Sequence, residues 1–206
     1  MPAYEDSVFI NCPFTADYRP LFQALVFAVA DCGYVPRCSL ERSDSSESRI
    51  DKIFRIINGC RYGVHDISAT ELDPTHNLPR FNMPLELGIF LAAKRFGGPK
   101  QKKKTCLVLD SHRYRYQKFC SDIAGQDPKA HQGKPKQALV CVRDWLKDEK
   151  PDEMLPGGTA MYKRYQTFQK DLPLICAAQQ LEPGELKFND LTTVLEVWLN
   201  ANSWGS

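Results

Sequence analysis

Short apolar blocks alternate along this chain with longer stretches in which apolar residues recur every three or four positions. SVFIN (Ser7–Asn11) is a compact apolar block bounded by Cys12-Pro13, which predicts a short buried strand. From Asp17 the spacing turns helical through Leu21, Phe22, Leu25, Val26 and Val29, and Gly33 suits the position just past a helix end. YVPRCSL predicts a second strand, at an edge or irregular, because Pro36 lacks an amide hydrogen. After the polar loop ERSDSSES, Ile50, Ile53, Phe54 and Ile57 form another helical stripe that Asn58-Gly59 ends. CRYGVHDI predicts a third strand, and SATELDPTHNLPRF a loop long enough to suggest function. Pro84 opens a helix with Leu85, Leu87, Gly88, Leu91 and Ala92 available for packing. TCLVLD is the clearest strand of the parallel, doubly covered kind. RYRYQKFCSDIAG predicts the start of a helix, residues 134–147 hold another, and residues 160–180 and 189–200 two more.

Strands alternating with helices predict an α/β fold: a three-layer αβα domain with a central, mainly parallel sheet (flavodoxin-like), plus C-terminal helices. The composition break DEKPDEMLPGGT divides the chain into an α/β domain at 1–147, a linker at 148–159 and a helical extension at 160–206 packed on the same domain. In open parallel sheets ligands bind beyond the carboxyl ends of the strands. That rule directs attention to the segments after Asn11, after Cys38, after Asp66 and after Asp110.

Composition narrows the function classes. With 206 residues, 43% of them hydrophobic, the chain can bury a sizeable core. A net charge of +2 counts against a dedicated nucleic-acid binder. The start MPAYEDS does not read as a secretory signal, and the longest apolar stretch, LFQALVFAVA, is broken by Gln23 and too short for a bilayer. A cytoplasmic protein without a membrane partner is expected. Most of the eight cysteines sit in apolar runs, with no C-x-x-C pair and no zinc spacing, so reduced, buried thiols are expected. His65, His76, His112 and His131 form no spaced set, and no metal site is expected.

Several residues carry two readings. Cys12 is a strand-end cysteine, or a nucleophile that lacks a local base. Asp66 and Ser68 either cap a turn or present oxygens to ribose hydroxyls. Glu86, in the apolar turn MPLELGIF, is either a helix-start glutamate stabilised by the local dipole or a partly buried carboxylate facing the crevice. The basic stretch at residues 100–104 is a solvated loop or a phosphate contact, and RYRYQK either stacks a base or forms a polar helix face.

VFINCPF, VHDIS and PLELGIFLAAK together resemble the nucleoside 2-deoxyribosyltransferase family and the related TIR-type NAD-cleaving domains of bacterial immunity, over roughly residues 7 to 131. The family's strand-end turn corresponds to Cys12-Pro13-Phe14, its strand-end acid to Asp66 and its catalytic glutamate to Glu86. Asn82 is the nearest polar group where a D-x-G-T stretch usually precedes that glutamate. The resemblance implies cleavage of an N-glycosidic bond in NAD or another nucleotide or nucleoside, which serves as substrate or ligand, with no separate cofactor. Glu86 would act on the anomeric carbon and Asp66 would orient ribose hydroxyls. By position, Phe14 or Tyr116 would stack on the base and Arg37 or Arg115 would meet phosphate. A bacterial defence role and a homo-oligomer follow from the same resemblance. The alternative is a non-catalytic nucleotide-sensing or assembly module.

Overall fold

The computed structural model describes residues 2–72 and 77–204. Five strands form one all-parallel sheet: β1 (Ser7–Asn11), β2 (Val35–Arg37), β3 (Tyr62–Asp66), β4 (Thr105–Asp110) and β5 (Lys129–Ala130). Their order across the sheet is β2-β1-β3-β4-β5. The connection out of β1 runs to one side and the one into β3 to the other, so the strand order reverses between β1 and β3. A crevice opens at that reversal, beyond the carboxyl ends of the strands.

Strand alternation builds two cores. Val8 and Ile10 of β1, Tyr62 and Val64 of β3, and Leu107 and Leu109 of β4 face one side. There they meet α1 (Arg19–Asp31) and α5 (Pro135–Glu149). Phe9 faces the other side and packs on Ile53, Ile56 and Ile57 of α2 (Arg49–Asn58) and Phe90 of α3 (Asn82–Phe96). Gly63 is needed on that side. A Cβ there would lie 2.7 Å from His65 Nε2 and 2.9 Å from the Phe90 ring, so any larger residue would push α3 away from β3.

The short helix α4 (Pro99–Lys102) leads into β4. The C-terminal helices α6 (Gly158–Ala178) and α7 (Phe188–Ala201) form an outer layer over α1. The fully buried Phe27 of α1 meets Tyr165, Phe168 and Trp198 ring to ring at 5.3, 5.7 and 6.1 Å. Arg164 donates to Asp31 at 2.8 Å, and Arg143 holds the carbonyls of Leu155 and Pro156 at 2.7 Å each. The segment between α5 and α6 is thereby fastened to α5, and the C-terminal helices share the main core.

Local chemistry explains the element ends. Past α1, Gly33 adopts φ +79°, Tyr34 N–H reaches Val29 O at 3.1 Å and Gly33 N–H reaches Ala30 O at 2.9 Å, which is a Schellman ending. Pro36 sits in the edge strand β2, where a missing donor costs little. α3 begins at Asn82, two residues before Pro84; the first amides of a helix have no internal acceptor, so proline fits there too. The helix expected from RYRYQK is two 3-10 turns instead, Arg115–Lys118 and Ser121–Ile123. Tyr114 is left-handed at φ 60°, and Arg115 is drawn inward to the end of β4. All eight cysteines are free, five of them buried. Among the described residues, no helix is long and apolar enough to cross a membrane.

Candidate functional site

A cavity of about 940 Å³ occupies the crevice. Segments after all five strands contribute to its wall: Cys12, Pro13 and Phe14 after β1, Leu40 after β2, Ser68 after β3, Ser111 after β4 and His131 after β5. The first residues of α2 and α3 complete it with Arg49, Asn82, Met83 and Glu86. Asn11 fixes α3 against the sheet. Its side-chain amide donates to Met83 O at 2.9 Å and to His65 Nδ1 at 3.0 Å. Burial lowers the pKa of His65 to about 3, so its ring stays neutral and Nδ1 can accept that bond.

Glu86 is the fifth residue of α3 and lies on the buried side of the helix, 5% exposed, between the exposed Leu85 and the buried Leu87. Its one charged neighbour among the described residues is Arg49, whose guanidinium nitrogen lies 3.9 Å from Oε1. Desolvation raises the Glu86 carboxyl to about 7, with Arg49 pulling the other way. A carboxyl of this kind changes charge near neutrality on the wall of the cavity.

Asp66 lies beneath the cavity floor rather than on its wall. It is fully buried, and its oxygens are committed to protein groups. Oδ1 accepts Ser68 N–H at 2.8 Å, which is the turn-capping alternative. Oδ2 accepts the Tyr18 hydroxyl and lies 3.0 Å from His131 Nε2. Gly133 N–H donates to His131 Nδ1 at 3.0 Å, which leaves the ring hydrogen on Nε2, toward Asp66. The Nε2–Asp66 contact is close but poorly aligned as a hydrogen bond. Tyr18 and His131 both line the cavity, so Asp66 positions two wall residues from below.

The other candidates divide clearly. Cys12, Pro13, Phe14, Ser68, Asn82 and Glu86 share the cavity. Burial, with Asp66, Cys38 and Glu86 nearby, pushes the Cys12 thiol well above its ordinary range, which disfavours the thiolate that a nucleophile needs. Arg37 is forked onto Glu41 at 2.5 and 2.6 Å, outside the cavity wall. Arg115 is held by Asp110, by Thr70 Oγ1 at 2.6 Å and by Ser68 O at 2.6 Å. Tyr116 is core, packed with Ile67, Met83, Leu87 and Val108. Neither Arg115 nor Tyr116 reaches the cavity wall. His76 lies outside the described residues.

Sequence reasoning missed Tyr18, Arg49, Arg80 and His131, all of which line the cavity. Arg49 and Arg80 had a usable signal, since each stands where a strand-end loop meets the start of a helix. His131 had none, because the two-residue β5 carries no hydrophobic pattern. Asp17 and Glu71 add two acids to the wall. Among the described residues no group of three or more histidine, cysteine, aspartate or glutamate side chains is placed to hold a metal ion. Neither models of known protein families nor the curated proteins gave a match to this chain.

Proposed function

We propose that this protein cleaves an N-glycosidic bond in NAD or another nucleotide or nucleoside, with Glu86 as the catalytic carboxylate. The observation that carries this reading is Glu86 itself: a desolvated carboxylate on the wall of the strand-end cavity, with one cation 3.9 Å away.

In the proposed reaction the bond between C1′ and the base nitrogen breaks, and its electron pair leaves with the base. The sugar carbon becomes oxocarbenium-like. An ionised Glu86 favours that cation strongly because little water screens the interaction. In the covalent form of the step, a Glu86 oxygen bonds to C1′. Water then displaces it, leaving a hydroxyl on the sugar; the proton that water loses goes to solvent when the leaving group is nicotinamide and to the departing base nitrogen when it is the base of a neutral nucleoside. Ser68, Ser111 and Asn82 offer hydrogen bonds to sugar hydroxyls, and Phe14, 36% exposed at the wall, offers a face for the base. A bacterial defence role and homo-oligomeric assembly belong to the same proposal through the resemblance, and a cytoplasmic setting through the polar start and the short apolar runs of the sequence.

The test is incubation of the purified protein with NAD and with purine and pyrimidine nucleosides, followed by chromatography for released nicotinamide or base. Glu86→Gln is expected to abolish release while the protein stays folded. A Gln variant with full activity refutes the assignment. A second reading, nucleotide binding without turnover, is favoured by one observation. Asp66, the expected ribose ligand, is enclosed by Tyr18, Ser68 and His131. Thermal stabilisation by a nucleotide with no base released would select that reading.

A further inference from the structure

The two arginines on the cavity wall differ from three others in the same half of the molecule. Arg37, Arg55 and Arg115 are each forked onto a carboxylate: Glu41, Glu47 and Asp110. Arg49 and Arg80 line the cavity and are not committed in this way. Arg49 reaches Glu86 only at 3.9 Å, beyond hydrogen-bond length, and its side chain is 56% exposed. Arg80 has no hydrogen-bond or ion-pair partner among the described residues. Asp17 and Glu71 share the cavity, yet neither forms an ion pair with these two arginines. Beside them α3 begins without a side-chain cap and with no acid in its first turn.

We infer that Arg49 and Arg80 form a phosphate subsite, so that the ligand is a nucleoside 5′-phosphate or a larger nucleotide rather than a bare nucleoside. The inference rests on the glycosidic reading for the placement of the sugar. A guanidinium offers paired donors whose spacing matches two phosphate oxygens, and such charge-assisted pairs are the strong ones. The head of Arg49 lies beside Glu86, so with C1′ facing Glu86 the 5′ substituent of the same sugar falls within its reach.

The experiment is calorimetric titration of the full chain with adenosine, adenosine 5′-monophosphate and inorganic phosphate, on the wild type and on Arg49→Gln, Arg80→Gln and Arg49→Lys. Glu86→Gln serves as background, so that binding is read without turnover. The monophosphate is expected to bind about 10-fold to 100-fold more tightly than adenosine. Each Gln variant should lose most of that preference, read as the ratio of the two affinities within the same variant, while Arg49→Lys keeps only part of it. Equal affinity for adenosine and the monophosphate overturns the inference. So does a preference that survives both Gln variants, or inorganic phosphate binding as tightly as the nucleotide. The two readings fail separately. Base release with no phosphate preference removes the subsite and keeps the glycosidase. Phosphate preference with no base release does the reverse.

Discussion

Replacing Glu86 with glutamine tests the site through stability alone. In the unfolded chain this carboxyl titrates near its ordinary value of 4.5, and in the folded protein near 7. Below pH 4.5 both states hold the proton and the group costs nothing. As pH rises from 4.5 to 7 the unfolded chain gives up its proton first, so the folded state is progressively disfavoured. Above 7 the loss is complete. Allowing for the solvent the cavity admits, it is about 2–3 kcal/mol. Glutamine never ionises, so Glu86→Gln should match the wild type near pH 4 and exceed it by that amount at pH 8. Urea denaturation of both proteins at several pH values reads the difference. His65 titrates in the opposite sense, since its neutral folded ring is disfavoured as pH falls from 6.5 toward 3, but it is present in both proteins and cancels. A difference that does not change with pH, or a variant less stable than the wild type at pH 8, would refute the desolvated position of Glu86.

Other outcomes can be checked with similar measurements. Phe27→Ala removes the ring around which Tyr165, Phe168 and Trp198 pack, and should cost about 3–5 kcal/mol in one cooperative transition; a small loss would mean that α6 and α7 fold apart from α1. Gly88 sits in the middle of α3 with open space where a Cβ would go, so Gly88→Ala should raise stability by about 0.5–1 kcal/mol in denaturant unfolding. Asp66→Asn weakens the hold on Tyr18, Ser68 and His131 together and should cost about 1–3 kcal/mol. A direct substrate role for Asp66 would instead lower affinity and leave stability nearly untouched.

Much of the fold was legible because its strands are doubly buried. TCLVLD matches β4 residue for residue, and SVFIN matches β1, since a strand covered on both faces must be apolar at consecutive positions. The helical stripe over Leu21, Phe22, Leu25, Val26 and Val29 likewise places α1. β5 was not legible. It is two residues long, and backbone pairing to Leu109 and Asp110 defines it. The turns at 115–118 and 121–123 were misread because tertiary contacts, Arg115 on Asp110 and Tyr116 in the core, outweigh local preference. Within the site, Glu86 was visible as a carboxylate in an apolar turn. The depth of Asp66 was not, because a strand-end acid reads the same whether it faces solvent or Tyr18 and His131.

The shortness of β5 has a dynamic consequence. The cavity wall that carries His131 and Gly133 is tied to the sheet by few groups. Two of its bonds are His131 N–H to Asp110 O and Gln132 N–H to Ser111 O, each 3.0 Å. Local opening of so small a unit needs far less free energy than unfolding the sheet. The amides of residues 131–133 should therefore exchange with solvent long before those of Val64 or Leu107. A ligand that touches this wall would slow their exchange first, which makes the segment just past the last strand the natural place to watch the cavity fill.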